Sequence, residues 1–292
     1  MAKPRVAILG LGIMGSGMAG RVLGGGFPLV VFNRNRDKAA PLASKGATVA
    51  SSPREAAAQA DIVISVVADD NASREIWLGE NGALTGATPG SVLIESSTLT
   101  VGWVQQLAQS AAIKKCEFLD APVTGSKPHA ANGELFFLVG GPAAALEKAR
   151  EVLAVMSRGM LHLGANGSGA RMKLVNNFVC GVQAAALAEA AGLIQKGGLD
   201  AEKAFTVLAN GAPGSPLVKT LIDRVAANKG DVNFELRLMA KDLGYAVDDA
   251  SRNGFALETA SAALAVFQRA IERGHGNQDM SAVITATRSA TP

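Results

Sequence analysis

The chain has 292 residues, enough for two domains, and its 48% hydrophobic and 18% charged content belongs to a globular protein rather than a disordered one. A net charge of +3, spread along the sequence, argues against nucleic acid or a membrane surface as partner. The two cysteines, Cys116 and Cys180, form no CxxC pair, so neither a disulfide framework nor a metal site is suggested.

In chain order, the first expected strand (Val6–Leu9) begins too soon to leave room for a signal peptide. It runs directly into Gly10-Leu11-Gly12-Ile13-Met14-Gly15, which opens a helix rich in small residues, and a second apolar strand (Leu29–Phe32) follows. This is the dinucleotide-binding fingerprint in its required strand–turn–helix–strand context. Gly10 permits the tight turn, Gly12 lets a pyrophosphate approach the backbone, and Gly15 lets the helix pack on the strand. The helix N-terminus then offers N–H groups and a positive dipole end to the phosphates.

The second strand ends at Asn33-Arg34-Asn35. An NAD site usually places Asp or Glu there for the ribose 2′-hydroxyl. A carboxylate would repel a 2′-phosphate, whereas the Arg34 guanidinium can pair with one, so NADP is the expected cofactor. The competing reading of NRNRDK is a solvated turn.

Further along come a helix near 36–45, a strand at 48–50, a helix near 53–60 and a buried strand at 61–67. A helix around 72–78, a loop through 82–89, a strand at 91–95, a helix near 101–113 and strands at 116–120 and 134–139 complete the pattern. The alternation predicts a doubly wound α/β sheet. Ligands in such sheets sit beyond the carboxyl ends of the strands, which points to 10–15, 67–70 (starting at Val67), 96–98 and 121–126. Residues 168–196 contain no proline and keep a helical apolar spacing; such a helix would span about 44 Å. From Asp200 onward every pattern is helical: 201–209, 217–228, 236–253, 257–273 and 280–286. Two domains are expected, 1–164 dinucleotide-binding and 165–292 all-helical. No continuous apolar run reaches the ~18 residues of a membrane span, so a cytoplasmic setting is expected.

Lys173 and Asn177 are four residues apart in the long helix and share one face. Beside a nicotinamide, a partly desolvated ammonium could exchange a proton with a carbonyl oxygen; on an exposed face it would be an ordinary surface charge. The segment after Asp120 carries Thr124-Gly125-Ser126, whose hydroxyls and backbone amides suit a carboxylate, or form a plain turn. Phe234 is a packing residue or a substrate wall, and Lys241-Asp242 a solvated helix face or part of a site. His129, His162 and His275 are too scattered to argue a dyad.

Taken together, GLGIMG at 10–15, DAPVTGS at 120–126, GARMKLVNN at 169–177 and KDL at 241–243 resemble the β-hydroxyacid dehydrogenases, over essentially the whole chain. The resemblance implies Lys173 as the catalytic lysine and Asn177 as a substrate-holding residue. Thr124, Gly125 and Ser126 would form the carboxylate loop, with Thr98 near the nicotinamide. Phe234, Lys241 and Asp242 would close over cofactor (Lys241) and substrate (Phe234, Asp242). It also implies assembly as a homodimer or homotetramer. The loop departs from the usual PVSGS or PVSGT in having Thr124, which adds a methyl group and a stiffer χ1. NRN at 33–35 and KP at 127–128 look most like the glyoxylate/succinic semialdehyde reductase branch, which favours NADPH. The substrate implied is a small carboxylate-bearing aldehyde or hydroxy acid. Alternatives are a 3-hydroxyisobutyrate or tartronate semialdehyde enzyme, an imine reductase-like enzyme, or a non-catalytic dinucleotide-binding protein.

Overall fold

The computed structural model describes residues 3–288. The chain folds as two units, and the boundary between them falls between Lys173 and Leu174. The first is built on strands β1 (Val6–Leu9), β2 (Leu29–Phe32), β3 (Thr48–Val49), β4 (Ile62–Ser65), β5 (Val92–Glu95), β6 (Glu117–Asp120), β7 (Val123–Thr124), β8 (Leu135–Gly140) and β9 (Ser157–Gly164). VAIL, IVIS and VLIE are buried at every position, as expected for parallel strands covered on both faces. The sheet order is β3-β2-β1-β4-β5-β6-β8-β7, with β9 paired to β8. Pairing is parallel from β3 through β6, and β8 runs antiparallel to β6 and β7. The reversal of strand order beside β1 brings the ends of β1 and β4 to the switch point where such sheets bind ligands.

Between the strands lie α1 (Ile13–Gly24), α2 (Ala40–Ala43), α3 (Pro53–Ala58), α4 (Asp70–Leu78), α5 (Ala83–Gly86), α6 (Val101–Ile113), α7 (Lys127–Asn132) and α8 (Ala143–Ala154). Several details differ from the sequence expectation. The helix expected at 36–45 is a 3-10 turn, Arg36–Ala39, followed by the short α2, with Pro41 in its first turn. Residues 83–86 of the expected 82–89 loop form α5. The elements β7, α7, α8 and β9 have no counterpart among the expected ones. The strand β9 is only half-buried and its register with β8 shifts twice, which blurs any alternating pattern.

The long helix α9 runs from Ser168 to Lys196, as its spacing predicts. The first unit extends into it because its opening turn packs on the strands. A Cβ at Gly169 would lie 2.3 Å from the Leu138 carbonyl oxygen. Among the described residues α9 is the one helix long and apolar enough to cross a membrane by length and composition, although 44% of that window is buried within the protein. Its alanines supply that apolar character without a continuous run of large side chains.

The second unit contains the rest of α9 with α10 (Ala201–Asn210), α11 (Pro216–Ala226), α12 (Leu236–Arg252), α13 (Glu258–Glu272) and α14 (Ala282–Arg288). Its core joins Ala184, Leu187 and Ala188 of α9 to Leu221, Leu243, Phe267 and Val283. Gly181 allows α12 to approach α9 closely, since a Cβ there would meet the Leu243 side chain at 2.8 Å.

Candidate active site

The dinucleotide turn has the strain its glycines are needed for. Gly10 holds φ +99, and a Cβ there would lie 2.2 Å from the Val66 carbonyl oxygen; at Gly15 it would lie 2.0 Å from the Gly10 oxygen. A Cβ at Gly12 would meet nothing within 4 Å, so this face of the turn is open. Gly12 is the N-cap of α1 and gives it no side-chain cap, and no acidic residue lies in the first turn. Such an end fits the pyrophosphate of a dinucleotide. Asn33 accepts the Leu11 N–H at 2.8 Å and donates to the Asn35 carbonyl at 2.8 Å, tying the turn to the end of β2. Arg34 and Asn35 beside it are exposed, and the Asn35 side chain accepts from Asp37 N–H.

The loops after β4 and β5 are linked through Glu95, which is 0% exposed. It accepts from Ser97 N–H (2.9 Å), the Ser73 hydroxyl (2.7 Å) and the Trp77 indole (2.8 Å). The Ser97 hydroxyl in turn accepts the Val67 N–H at 2.7 Å. Asp70 takes both the N–H and hydroxyl of Thr100. Val67 and Thr98, both half-buried, therefore sit on loops fastened to each other. Burial pushes the Glu95 carboxyl upward against these hydrogen bonds.

Thr124 ends β7 opposite Phe136 of β8, and Gly125 follows with φ +119. Ser126 N–H donates to His129 Nδ1 at 3.2 Å, and the Ser126 hydroxyl lies 3.0 Å from the same nitrogen. A backbone N–H can only donate, so Nδ1 is the acceptor in that contact. His129, which carries no role in the sequence reading, therefore fixes the third residue of this loop. The spacing Ser-x-x-His at the start of α7 is the signal that could have found it.

Asp120 is a second residue that sequence reasoning missed. It ends β6 with no exposed surface. Its carboxylate accepts Gly167 N–H and Ala170 N–H, each at 2.9 Å, so it caps the first turn of α9. Burial raises its pKa, opposed by the hydrogen bonds from Gly167, Ala170 and Asn166. Lys173, half-buried, lies one turn beyond that cap.

In the second unit, Asn177 is buried on α9 and donates to Asp242 Oδ2 at 2.5 Å. Its own Oδ1 accepts from Asn176 at 2.9 Å. Asp242 is 1% exposed and pairs with Lys241 Nζ at 2.9 Å; that ammonium also stands 4.8 Å from the centre of the Tyr245 ring. Of the two readings of Lys241-Asp242, the solvated face does not hold for Asp242, which α12 turns inward against α9. Phe234 is half-buried against the helical core. Its backbone N–H and that of Asn233 donate to Asp279 Oδ2, while Asp279 Oδ1 meets Arg224 Nε at 2.9 Å. Burial would raise the Asp279 carboxyl, but hydrogen bonds from Asn233, Ser281 and Phe234 outweigh it and hold the group below the ordinary value.

Residues 5–164 match the family model described as the NAD binding domain of 6-phosphogluconate dehydrogenase. Residues 167–287 match the one described as NAD-binding of NADP-dependent 3-hydroxyisobutyrate dehydrogenase. The chain is 34% identical to glyoxylate/succinic semialdehyde reductase 2, chloroplastic, of Arabidopsis thaliana, over 98% of this chain and 80% of that protein. The chain belongs to the β-hydroxyacid dehydrogenase family. Two solved members have the same architecture along the chain. One is a 3-hydroxyisobutyrate dehydrogenase from Salmonella typhimurium (30% identity, TM-score 0.88, 96% of this chain and 99% of that one). The other is the Mycobacterium tuberculosis 3-hydroxyisobutyrate dehydrogenase with L-serine (33%, 0.87, 98% and 100%). The protein is an NAD(P)-dependent oxidoreductase of this family, with a Rossmann unit followed by a helical unit.

Proposed function

We propose that the protein reduces small aldehyde acids, succinic semialdehyde or glyoxylate among them, to hydroxy acids, with NADPH preferred over NADH. The bound nicotinamide supplies the hydride. Thr124, Gly125 and Ser126 take up the substrate carboxylate, and Asn177 holds the substrate. Lys173 Nζ gives a proton to the carbonyl oxygen during reduction and takes it back during oxidation, so that hydride at carbon and proton at oxygen yield the alcohol. The observation that carries this reading is the placement of Lys173, half-buried and one turn inside a helix whose start is capped by a buried carboxylate. The NADPH preference is supported by Asn33 standing at the end of β2 and accepting the Leu11 N–H, beside the exposed Arg34. Asp242 belongs to the same substrate-holding group and orients Asn177 by accepting from its amide.

A second reading is oxidation of 3-hydroxyisobutyrate or reduction of tartronate semialdehyde, and the two solved 3-hydroxyisobutyrate dehydrogenases favour it. Cofactor turnover with NADPH and NADH against glyoxylate, succinic semialdehyde, tartronate semialdehyde and methylmalonate semialdehyde separates the two. Fast NADPH oxidation on the first pair supports the proposal; activity confined to the second pair, or only with NADH, overturns it.

We infer also that the protein is a homodimer or homotetramer. Val175, Val179 and Leu193 are exposed along one face of α9, and burial against a second copy would remove that apolar stripe from water. Light scattering that gives a monomer would refute this.

A further inference from the structure

We infer that Asp120 is the positioning residue for Lys173, acting through the first turn of α9; this rests on the reading of Lys173 as the proton donor. A helix begins with N–H groups that have no partner within the helix. Here the segment before α9 offers no Ser, Thr, Asp or Asn at the cap position, which is Gly167 with φ +95. The acceptor comes instead from the end of β6, where the two oxygens of Asp120 take the N–H groups of Gly167 and Ala170 at 2.9 Å each, with Asn166 Nδ2 at 3.4 Å.

Two glycines make this approach possible. A Cβ at Gly140 would lie 2.6 Å from Asp120 Oδ1, and one at Gly169 would lie 2.6 Å from the Asp120 carbonyl oxygen and 2.3 Å from that of Leu138. The start of α9 is therefore seated directly on β6 and β8. Lys173 follows Ala170 by three residues, about 4.5 Å along the axis, so a tilt or slip of the capped turn is passed to its ammonium. The buried carboxylate also offsets the positive end of the helix dipole beside that ammonium.

The test uses Asp120→Asn and Gly169→Ala in the full-length enzyme. The first keeps the side-chain volume but turns one of the two acceptors of the Gly167 and Ala170 N–H groups into a donor. The second leaves the carboxylate in place and forces the turn off the strands. NADPH affinity, single-turnover reduction from neutral to alkaline pH, and acylation of Lys173 read by mass spectrometry are compared with wild type. NADPH affinity is expected to stay within about twofold while the reduction rate falls by about 10- to 100-fold in both variants, the scale of a misplacement near 1 Å. In Asp120→Asn alone, the alkaline limb of the rate profile and the pH dependence of Lys173 acylation move to lower pH, because a negative charge has been removed from the start of its helix. Wild-type rates in both variants overturn the inference. So does a rate loss matched by the loss of folded protein with both pH profiles unmoved. If Asp120→Asn does not fold, Asp120→Ser, which removes the charge with a smaller polar side chain, carries the same measurements. Near-normal turnover of Lys173→Ala would remove the proton-donor reading alone, since the acylation profile still reports whether Asp120 sets the environment of Lys173.

Discussion

Asn177 and Asp242, 65 residues apart in sequence, are joined at 2.5 Å, and the second Asp242 oxygen holds Lys241 at 2.9 Å. The carboxylate thereby sets which way the Asn177 amide points: its NH2 faces Asp242 and its oxygen faces Asn176. Asp242→Asn removes the charge and lets the Asn177 amide turn over. A fall of about 10-fold or more in kcat/KM is expected, equivalent to ~1.4 kcal/mol or more. In a double-mutant cycle, Asn177→Ala and Asp242→Asn should be coupled by about 0.5–3 kcal/mol. Additive losses would show that the contact has no bearing on turnover. The Lys241 side chain retains 16% exposure, so the stability cost should stay below the ~3–5 kcal/mol of breaking a fully buried pair.

Lys173→Ala should lower kcat by ~10²–10⁴-fold, the usual contribution of a general acid, with NADPH affinity nearly unchanged. Pre-steady-state reduction assays together with fluorescence titration of NADPH check both halves of that statement.

At the end of β2, Arg34→Ala should raise KM for NADPH by about 10-fold, from the loss of a charge-assisted hydrogen bond worth ~1.5–3 kcal/mol, and leave KM for NADH unchanged. Asn33→Asp keeps an oxygen for the Leu11 N–H but puts a negative charge beside the ribose, so it should move preference toward NADH. An unchanged KM for both cofactors would place Arg34 on a solvated turn.

Three buried carboxyls give opposite pH signatures. Asp279 titrates below its ordinary value when folded, so its contribution to stability is complete above the unfolded pKa of about 3.9 and is lost as pH falls through the folded value. Asp279→Asn should therefore lower Tm at neutral pH, with the gap to wild type closing in acid. Glu95 and Asp120 titrate above theirs, so the folded state binds their protons more tightly. Their share of stability declines as pH rises from about 4 through the folded values. Glu95→Gln should flatten that decline in a series of thermal melts, and an unchanged slope would contradict the assignment.

The parts legible in the sequence are those whose cause is local. Gly10 is required by its φ of +99 and Gly15 by its close approach to the Gly10 oxygen within the same turn, and α9 reads as a helix from its composition and its flanking glycines. The segments lost to sequence reading depend on distant partners. Asp120 caps residues 47 and 50 positions away, and nothing around DAPVTGS announces that. Asp242 lies in a segment, MAKDLG, with the composition of an exposed helix face, and only the packing of α12 on α9 shows it buried. The strand β9 is invisible in the sequence because its pairing with β8 breaks register at both ends and leaves its side chains half-exposed.

The most direct measurement is NADPH oxidation by the wild-type enzyme and Lys173→Ala, side by side, with succinic semialdehyde and glyoxylate. Rapid turnover by the wild type that drops by at least ~10²-fold in the variant, with NADPH still bound, is the expected result. Equal rates in the two proteins, or no turnover by a wild-type enzyme that binds NADPH, would contradict it.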